Sequence, residues 1–208
     1  MTAPMTPKEQ KKLLRPVCKQ IRKAVPDKPH KAAKIMKALC SLPAFRNANV
    51  ILSYYGVGDE VATAAILETA LQCGKRVGVP RCYEESRMEF LEIRHLRELS
   101  SLSPFGIPEA PDGTAVIDPQ EADLILVPAL AFAKDGARIG YGKGYYDRYL
   151  KRCSAHTVGL CFEDCLRDTL PVNQNDRRVQ QIITEEQIIS LSNTFHPEVS
   201  YGREQNSD

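Results

Sequence analysis

The segment at 137–150, ARIGYGKGYYDRYL, follows closely on an apolar run at 124–132, LILVPALAF. Three glycines on alternate positions, Gly140, Gly142 and Gly144, let a backbone bend through conformations closed to other residues and bring its N–H groups near a ligand. Such a loop suits phosphate. A helix starting after Gly144 would place that ligand at a helix N-terminus, where unpaired N–H groups and the dipole favour an anion. Arg138 and Lys143 add positive charge. Asp147, in the first turn of the expected helix, stands near enough to hold a magnesium ion against the same phosphates. The pattern is not the usual P-loop, because no Ser or Thr follows Lys143, and not the dinucleotide fingerprint, because the third glycine comes too early.

Outward from this loop the chain alternates strands and helices. Asp123 to Val127 reads as a central strand ended by Pro128. NVILSYY at 49–55 reads as a buried strand, broken by Gly56 and Gly58 and followed by a helix from Val61 to Cys73 that Gly74 stops. Strand, glycine turn and helix form the repeating unit of an α/β fold, whose ligands collect at the carboxyl ends of strands. Asp59 and Glu60 fall at such an end, and Asp59 reads as a helix cap. KRVGVPR at 75–81 is the next strand, ended by Pro80, and RMEFLEIR at 87–94 is an antiparallel excursion. SSLSPFGIPEAP at 100–111 reads as a proline-punctuated loop of the kind that shapes a pocket wall. His156 to Phe162 and Val179 to Thr184 close the set of strands, and the polar tail beyond Ile189 is expected to fray.

The N-terminus is different in character. Met1 to Thr6 is expected to be loose. From Pro7 to about Val25, Leu13, Leu14, Val17, Cys18, Ile21 and Val25 recur at helical spacing, predicting a helix docked by that stripe. Residues 1–37 carry 11 Lys/Arg against Glu9 and Asp27, so this end holds a net charge of +9 while the whole chain holds only +2. Lys11 and Arg15 lie one turn apart on one side and can reach a common anion. A basic helix alone is also a common solvated face, and no nucleic-acid-binding motif accompanies it. The chain has 208 residues, 43% of them hydrophobic, enough to bury a full core. Seven cysteines with no C-x-x-C pair read as free thiols in a reducing compartment. Four scattered histidines argue against zinc, and no apolar stretch is long enough to span a membrane.

GYGKGYYDR at 140–148 resembles the signature of the 5-formyltetrahydrofolate cyclo-ligases, also called methenyltetrahydrofolate synthetases. Their pattern is a glycine-alternating loop closed by Gly-Tyr-Tyr-Asp. KKLLR at 11–15, the FGIPEA segment at 105–110 and PVNQND at 171–176 add to the resemblance, which covers roughly residues 8–183. It implies one cyclo-ligase domain over 1–208, with 190–208 as a flexible tail. The implied fold is a three-layer α/β/α sandwich, similar to those of sugar-phosphate isomerases and CoA transferases. The implied reaction is the ATP-dependent cyclisation of 5-formyltetrahydrofolate to 5,10-methenyltetrahydrofolate, with ATP and Mg²⁺ as cofactors.

Residue by residue, the resemblance implies that Lys143, Arg138 and Tyr145 stand at the reacting groups. The nucleotide would be held by Lys11, Arg15, Arg138, Gly140, Tyr141, Gly142, Lys143, Gly144, Tyr145 and Tyr146. Tyr55, Glu60, Phe105 and Tyr145 would hold the folate, and Asp147 and Asp176 the magnesium. Read without the resemblance, Asp176 is an Asx-turn residue and Phe105 a core aromatic. Tyr141 stands where many members carry Arg or another residue, which leaves phosphate contact there open. The expected partner is the small-molecule substrate, polyglutamylated forms included, for a cytoplasmic monomer that binds neither nucleic acid nor membrane. Two other classes compete: a non-catalytic homologue binding RNA through the basic helix, which should lack an intact Gly-Tyr-Tyr-Asp, and a sugar-phosphate isomerase, which should not depend on ATP.

Overall fold

The computed structural model of the chain describes residues 4–103 and 106–191. Helix α1 (Pro7–Ala24) opens on a capping box. Thr6 Oγ1 accepts from the Glu9 N–H at 3.4 Å, and the Thr6 N–H donates to the Glu9 carboxylate at 2.8 Å. The stretch expected to be loose therefore ends in a cap. Next come α2 (Lys28–Ser41), the short α3 (Pro43–Asn47), β1 (Val50–Ser53), α4 (Ala64–Gln72), β2 (Arg76–Cys82) and β3 (Met88–Ile93). After a small ladder of β4 (Ser101–Leu102) and β5 (Pro108–Glu109), the chain returns to the centre as β6 (Leu124–Val127). β7 (Ala131–Ala133), β8 (Arg138–Ile139) and α5 (Tyr145–Tyr149) follow, then β9 (His156–Leu160), β10 (Leu166–Arg167), β11 (Gln181–Ile183) and β12 (Ile188–Ser190).

The main sheet has the order β12-β11-β9-β6-β1-β2-β3. β11, β9, β6, β1 and β2 run parallel, while β12 and β3 close the two edges antiparallel. Helices flank this mostly parallel sheet in the expected three-layer arrangement. All four residues of β1 and all four of β6 are buried, as strands covered on both faces require, and this is why VILS and LILV read as continuous apolar runs without alternation. From β1 the chain moves to β2 on one side, and β6 then pairs with the other side of β1. The carboxyl ends of β1 and β6 thus form the point where strand order reverses and a crevice opens. From one end leaves the loop carrying Glu60; from the other leaves the hairpin β7–β8, which forms a three-stranded sheet with β10 and presents the glycine loop.

Three expectations are corrected. Pro80 does not end β2, which continues to Cys82 with Pro80 opposite Phe90. Beyond Gly78, β2 pairs only with β3, so a residue lacking an N–H breaks no bond toward β1. Asp59 caps no helix: α4 starts at Ala64 after Thr63, and Asp59 instead pairs with Lys28 at 3.2 Å. The apolar stripe of α1 is only part of its docking face: Leu14, Cys18, Ile21 and Val25 turn inward, but Leu13 is 61% and Val17 52% exposed. The inward row is Lys11, Leu14, Arg15, Cys18, Ile21, Arg22 and Val25, of which Lys11, Cys18 and Val25 are buried and the rest half-buried. That row keeps the helical spacing but includes three cations.

Candidate active site

Gly142 has φ 97° and Gly144 φ 69°, backbone conformations that only glycine adopts freely. A Cβ on Gly142 would also lie 2.9 Å from the Arg15 guanidinium carbon, so the loop folds directly onto that side chain. Arg15 Nε donates to the Gly140 carbonyl at 3.0 Å. From the far end, Arg148 donates to the carbonyls of Lys143 at 2.5 Å and Ser86 at 3.1 Å, pinning the exit of the loop. Lys143 is exposed at its apex, and its ammonium makes no ion pair with the described residues. The helix that follows has only five residues, too few for much macrodipole; an anion held here would rest mainly on the loop amides and the cations around them.

Beneath the loop lie two ion pairs. Arg138, 7% exposed, donates to Asp147 Oδ1 at 2.6 Å and to the Arg177 carbonyl. Asp147 Oδ1 also accepts the Arg177 N–H at 3.1 Å. Burial pulls the Arg138 guanidinium below its usual value, and Asp147 and then Asp176 oppose that shift. Lys11, 6% exposed, reaches Asp176 Oδ2 at 2.5 Å, the oxygen that also takes the Asn173 N–H at 2.6 Å. Asp176 is therefore both a turn residue and an ion-pair partner. Arg138 was expected to project free charge at phosphate; the structure engages its fork in holding the loop to the 173–177 turn. Among the described residues no three His, Cys, Asp or Glu side chains converge as a metal site. Asp147 and Asp176 nevertheless each keep one carboxylate oxygen outside these bonds, and one or two carboxylates beside phosphates are what Mg²⁺ ordinarily takes.

The loop after β1 supplies the third wall. Thr63 Oγ1 donates to the Tyr54 carbonyl at 2.6 Å and accepts the Gly56 N–H at 2.9 Å, which turns the chain sharply and brings Glu60 inward. Glu60 Oε2 accepts the Val57 N–H at 3.1 Å, and Oε1 accepts the hydroxyl of Tyr141, from the glycine loop. Arg22, from α1, donates to the Tyr141 hydroxyl at 2.8 Å and to the Ala129 carbonyl at 3.1 Å, and lies 3.8 Å from Glu60. Arg22, Tyr54, Glu60, Cys161 and Phe162 line a cavity of about 10 Å³ at the strand ends, roughly the room of one water. Tyr146 buries its hydroxyl without a partner among the described residues. Burial first, then the neighbouring Tyr54 and Glu60, raise that hydroxyl's pKa well above the usual phenol value.

The glycine loop, Lys11, Arg15, Arg138, Asp147, Asp176, Glu60 and Tyr141 are thus linked by contacts into one region. Tyr145 is half-buried at the start of α5, with the Arg148 guanidinium 5.9 Å from its ring. Tyr55 is half-buried, packed on the main core beside Tyr54. Phe105 lies outside the described residues, as does the tail from 192 on. Sequence reasoning passed over Arg22 and Tyr54. Arg22 stands seven residues after Arg15 and eleven after Lys11, the same face of α1, a signal hidden because all the α1 cations other than Lys11 and Arg15 read as solvated. Tyr54 lies just past the end of β1 and is buried, while its neighbour Tyr55 is half-buried; nothing in the run NVILSYY separates the two.

Residues 7–185 match the model of the 5-formyltetrahydrofolate cyclo-ligase family. A 5-formyltetrahydrofolate cyclo-ligase from Mus musculus is 30% identical over 154 residues, covering 68% of this chain and 76% of the relative. The solved 5,10-methenyltetrahydrofolate synthetase of Aquifex aeolicus superposes with a TM-score of 0.77 at 26% identity, over 93% of this chain and 98% of that one. For the corresponding synthetase of Mycoplasma pneumoniae the TM-score is 0.67 at 25% identity, over 84% and 98%.

Proposed function

Because this chain belongs to the 5-formyltetrahydrofolate cyclo-ligase family, we propose that the region joining α1, the glycine loop and the loop after β1 is its active site. The chain is an enzyme that converts 5-formyltetrahydrofolate and ATP to 5,10-methenyltetrahydrofolate, ADP and phosphate. A formamide oxygen is a poor leaving group. Attack of that oxygen on the γ-phosphorus, with rupture of the bond to ADP, turns it into a phosphate ester; the second folate nitrogen then attacks the carbon, losing its proton, and the C–O bond breaks to release phosphate.

Little covalent chemistry is left for the protein, which must align the oxygen with phosphorus and neutralise the phosphoryl oxygens. In our assignment the loop amides, Lys143 and Arg15 take the phosphates. Arg138 and Lys11 hold the loop and the 173–177 turn in place around them, and Glu60 takes the donor edge of the pterin. Mg²⁺, held by Asp147 and Asp176, would supply further charge neutralisation on the phosphates. The observation that carries the assignment is the Tyr141–Glu60 hydrogen bond, which brings the glycine loop against Glu60 and so supports reading the two as one site.

The inward turn of Lys11, Arg15 and Arg22 also weakens the RNA reading, because these cations of α1 face protein. Seven free cysteines suit a reducing compartment such as the cytoplasm, and among the described residues no helix is long and apolar enough to cross a membrane. We place the protein there as a monomer acting on mono- and polyglutamylated substrate. Formation of the methenyl product followed by absorbance, with and without ATP, tests the function: product only with ATP is expected, and ATP-independent turnover would overturn it. For the metal, Asp147→Asn is expected to raise the half-saturating Mg²⁺ concentration roughly tenfold, about 1.4 kcal/mol, and Asp176→Asn less. Titrations that superimpose on wild type for both variants would leave the metal to ATP and water.

A further inference from the structure

The Tyr141 hydroxyl sits between two groups of fixed polarity. A carboxylate only accepts and a guanidinium only donates, so the hydroxyl donates to Glu60 Oε1 and accepts from Arg22. Burial, and next the charge of Glu60, push its pKa up to about 12, so it remains a donor at neutral pH. One hydroxyl therefore presents a donor and an acceptor side by side. The lactam edge of a pterin presents the same pair, its ring N–H as donor and the adjacent carbonyl oxygen as acceptor.

We propose that Tyr141 is a built-in stand-in for the pterin lactam, which the substrate displaces from Glu60 and Arg22. The proposal rests on the reading of Glu60 as the pterin carboxylate, and adds Arg22 as the donor to the pterin carbonyl and Tyr141 as their competitor. The receiving groups are fixed: Glu60 Oε2 is tied to Val57, and a second Arg22 nitrogen to Ala129. Arg22 Nε is moreover enclosed without a partner among the described residues, leaving an unused donor at the cavity. The stand-in is the more exposed partner. Tyr141 is 48% exposed, its ring lies against Lys19 and Arg22 at 5.9 and 5.7 Å, and it rides on a loop whose next residue is Gly142. Because that loop also faces the nucleotide, displacement of Tyr141 links folate entry to the ATP side of the site.

Calorimetric titration of 5-formyltetrahydrofolate into three variants, without nucleotide, tests this, with melting curves to confirm folding. Tyr141→Phe is expected to tighten binding about 2- to 10-fold, the range set by removing one competing hydrogen bond. Arg22→Gln and Glu60→Gln are each expected to weaken it about 10-fold or more, since each removes a charge-assisted partner. Unchanged or weaker folate binding by Tyr141→Phe, with Glu60→Gln still weakened, would overturn the stand-in and leave the Glu60 reading intact. Unchanged binding by Glu60→Gln would overturn that reading itself, and unchanged binding by Arg22→Gln would remove Arg22 from the pterin.

Discussion

Arg138→Ala is expected to lower the unfolding free energy by about 3 kcal/mol and to cut activity far more than any exposed substitution in the loop. The guanidinium is almost fully enclosed while Asp147 keeps 28% of its side chain in contact with water. Breaking a buried pair by deleting one partner costs about 3–5 kcal/mol, and the partial exposure of Asp147 places this pair at the low end. In a chain of this size about 3 kcal/mol corresponds to a fall of roughly 6–12 °C in Tm. Two consequences should appear together. The 173–177 turn loses the bond to the Arg177 carbonyl, and Asp147, no longer held, leaves the position our assignment gives it beside phosphate. Arg138→Lys keeps the charge but cannot make two forked bonds, so it should recover part of the Tm and little of the activity. A melting curve for Arg138→Ala within about 2 °C of wild type would show that the pair does not hold the loop.

Lys143→Ala should behave in the opposite way. Its ammonium is exposed and unpaired among the described residues, so the melting temperature should not move, yet one charge-assisted phosphate contact is worth about 1.5 to 3 kcal/mol, or roughly 10- to 150-fold in kcat/KM for ATP. Steady-state kinetics at varied ATP measures this, and activity within twofold of wild type would remove Lys143 from the site. Lys11 is the useful contrast. Because it is buried against Asp176, Lys11→Ala should lower both Tm and ATP affinity, and the two effects separate a holding residue from a purely ligand-binding one.

These contrasts mark where the sequence is readable. VILS and LILV announced buried parallel strands, and ARIGYGKGYYDRYL announced its loop, because in both cases the local pattern and the tertiary requirement agree: two covered faces in one, positive φ and close approach in the other. The docking face of α1 was only partly readable by hydrophobicity: Leu14, Cys18, Ile21 and Val25 announced it, but Lys11, Arg15 and Arg22 share it and find their partners across the fold. Strands such as β8 and β10, two residues each, are too short for a period of two to register. Arg138 and Asp147 were each recognised, but as two phosphate-facing groups. That they bind one another depends on where the 173–177 turn falls, which no spacing between positions 138 and 147 encodes.

The bond from Lys11 to Asp176 spans 165 positions. On a ribosome adding about 5–20 residues per second, α1 emerges roughly 8–33 s before the residue that will neutralise Lys11. During that interval the helix carries its inward row of cations into water, with neither the glycine loop nor the 173–177 turn made. The nucleotide pocket in our assignment is consequently complete only once Asp176 has emerged. In our assignment a nascent chain cannot consume ATP until the 173–177 turn has been delivered, and the amino-terminal helix becomes part of a catalyst only when that distant segment arrives to receive it.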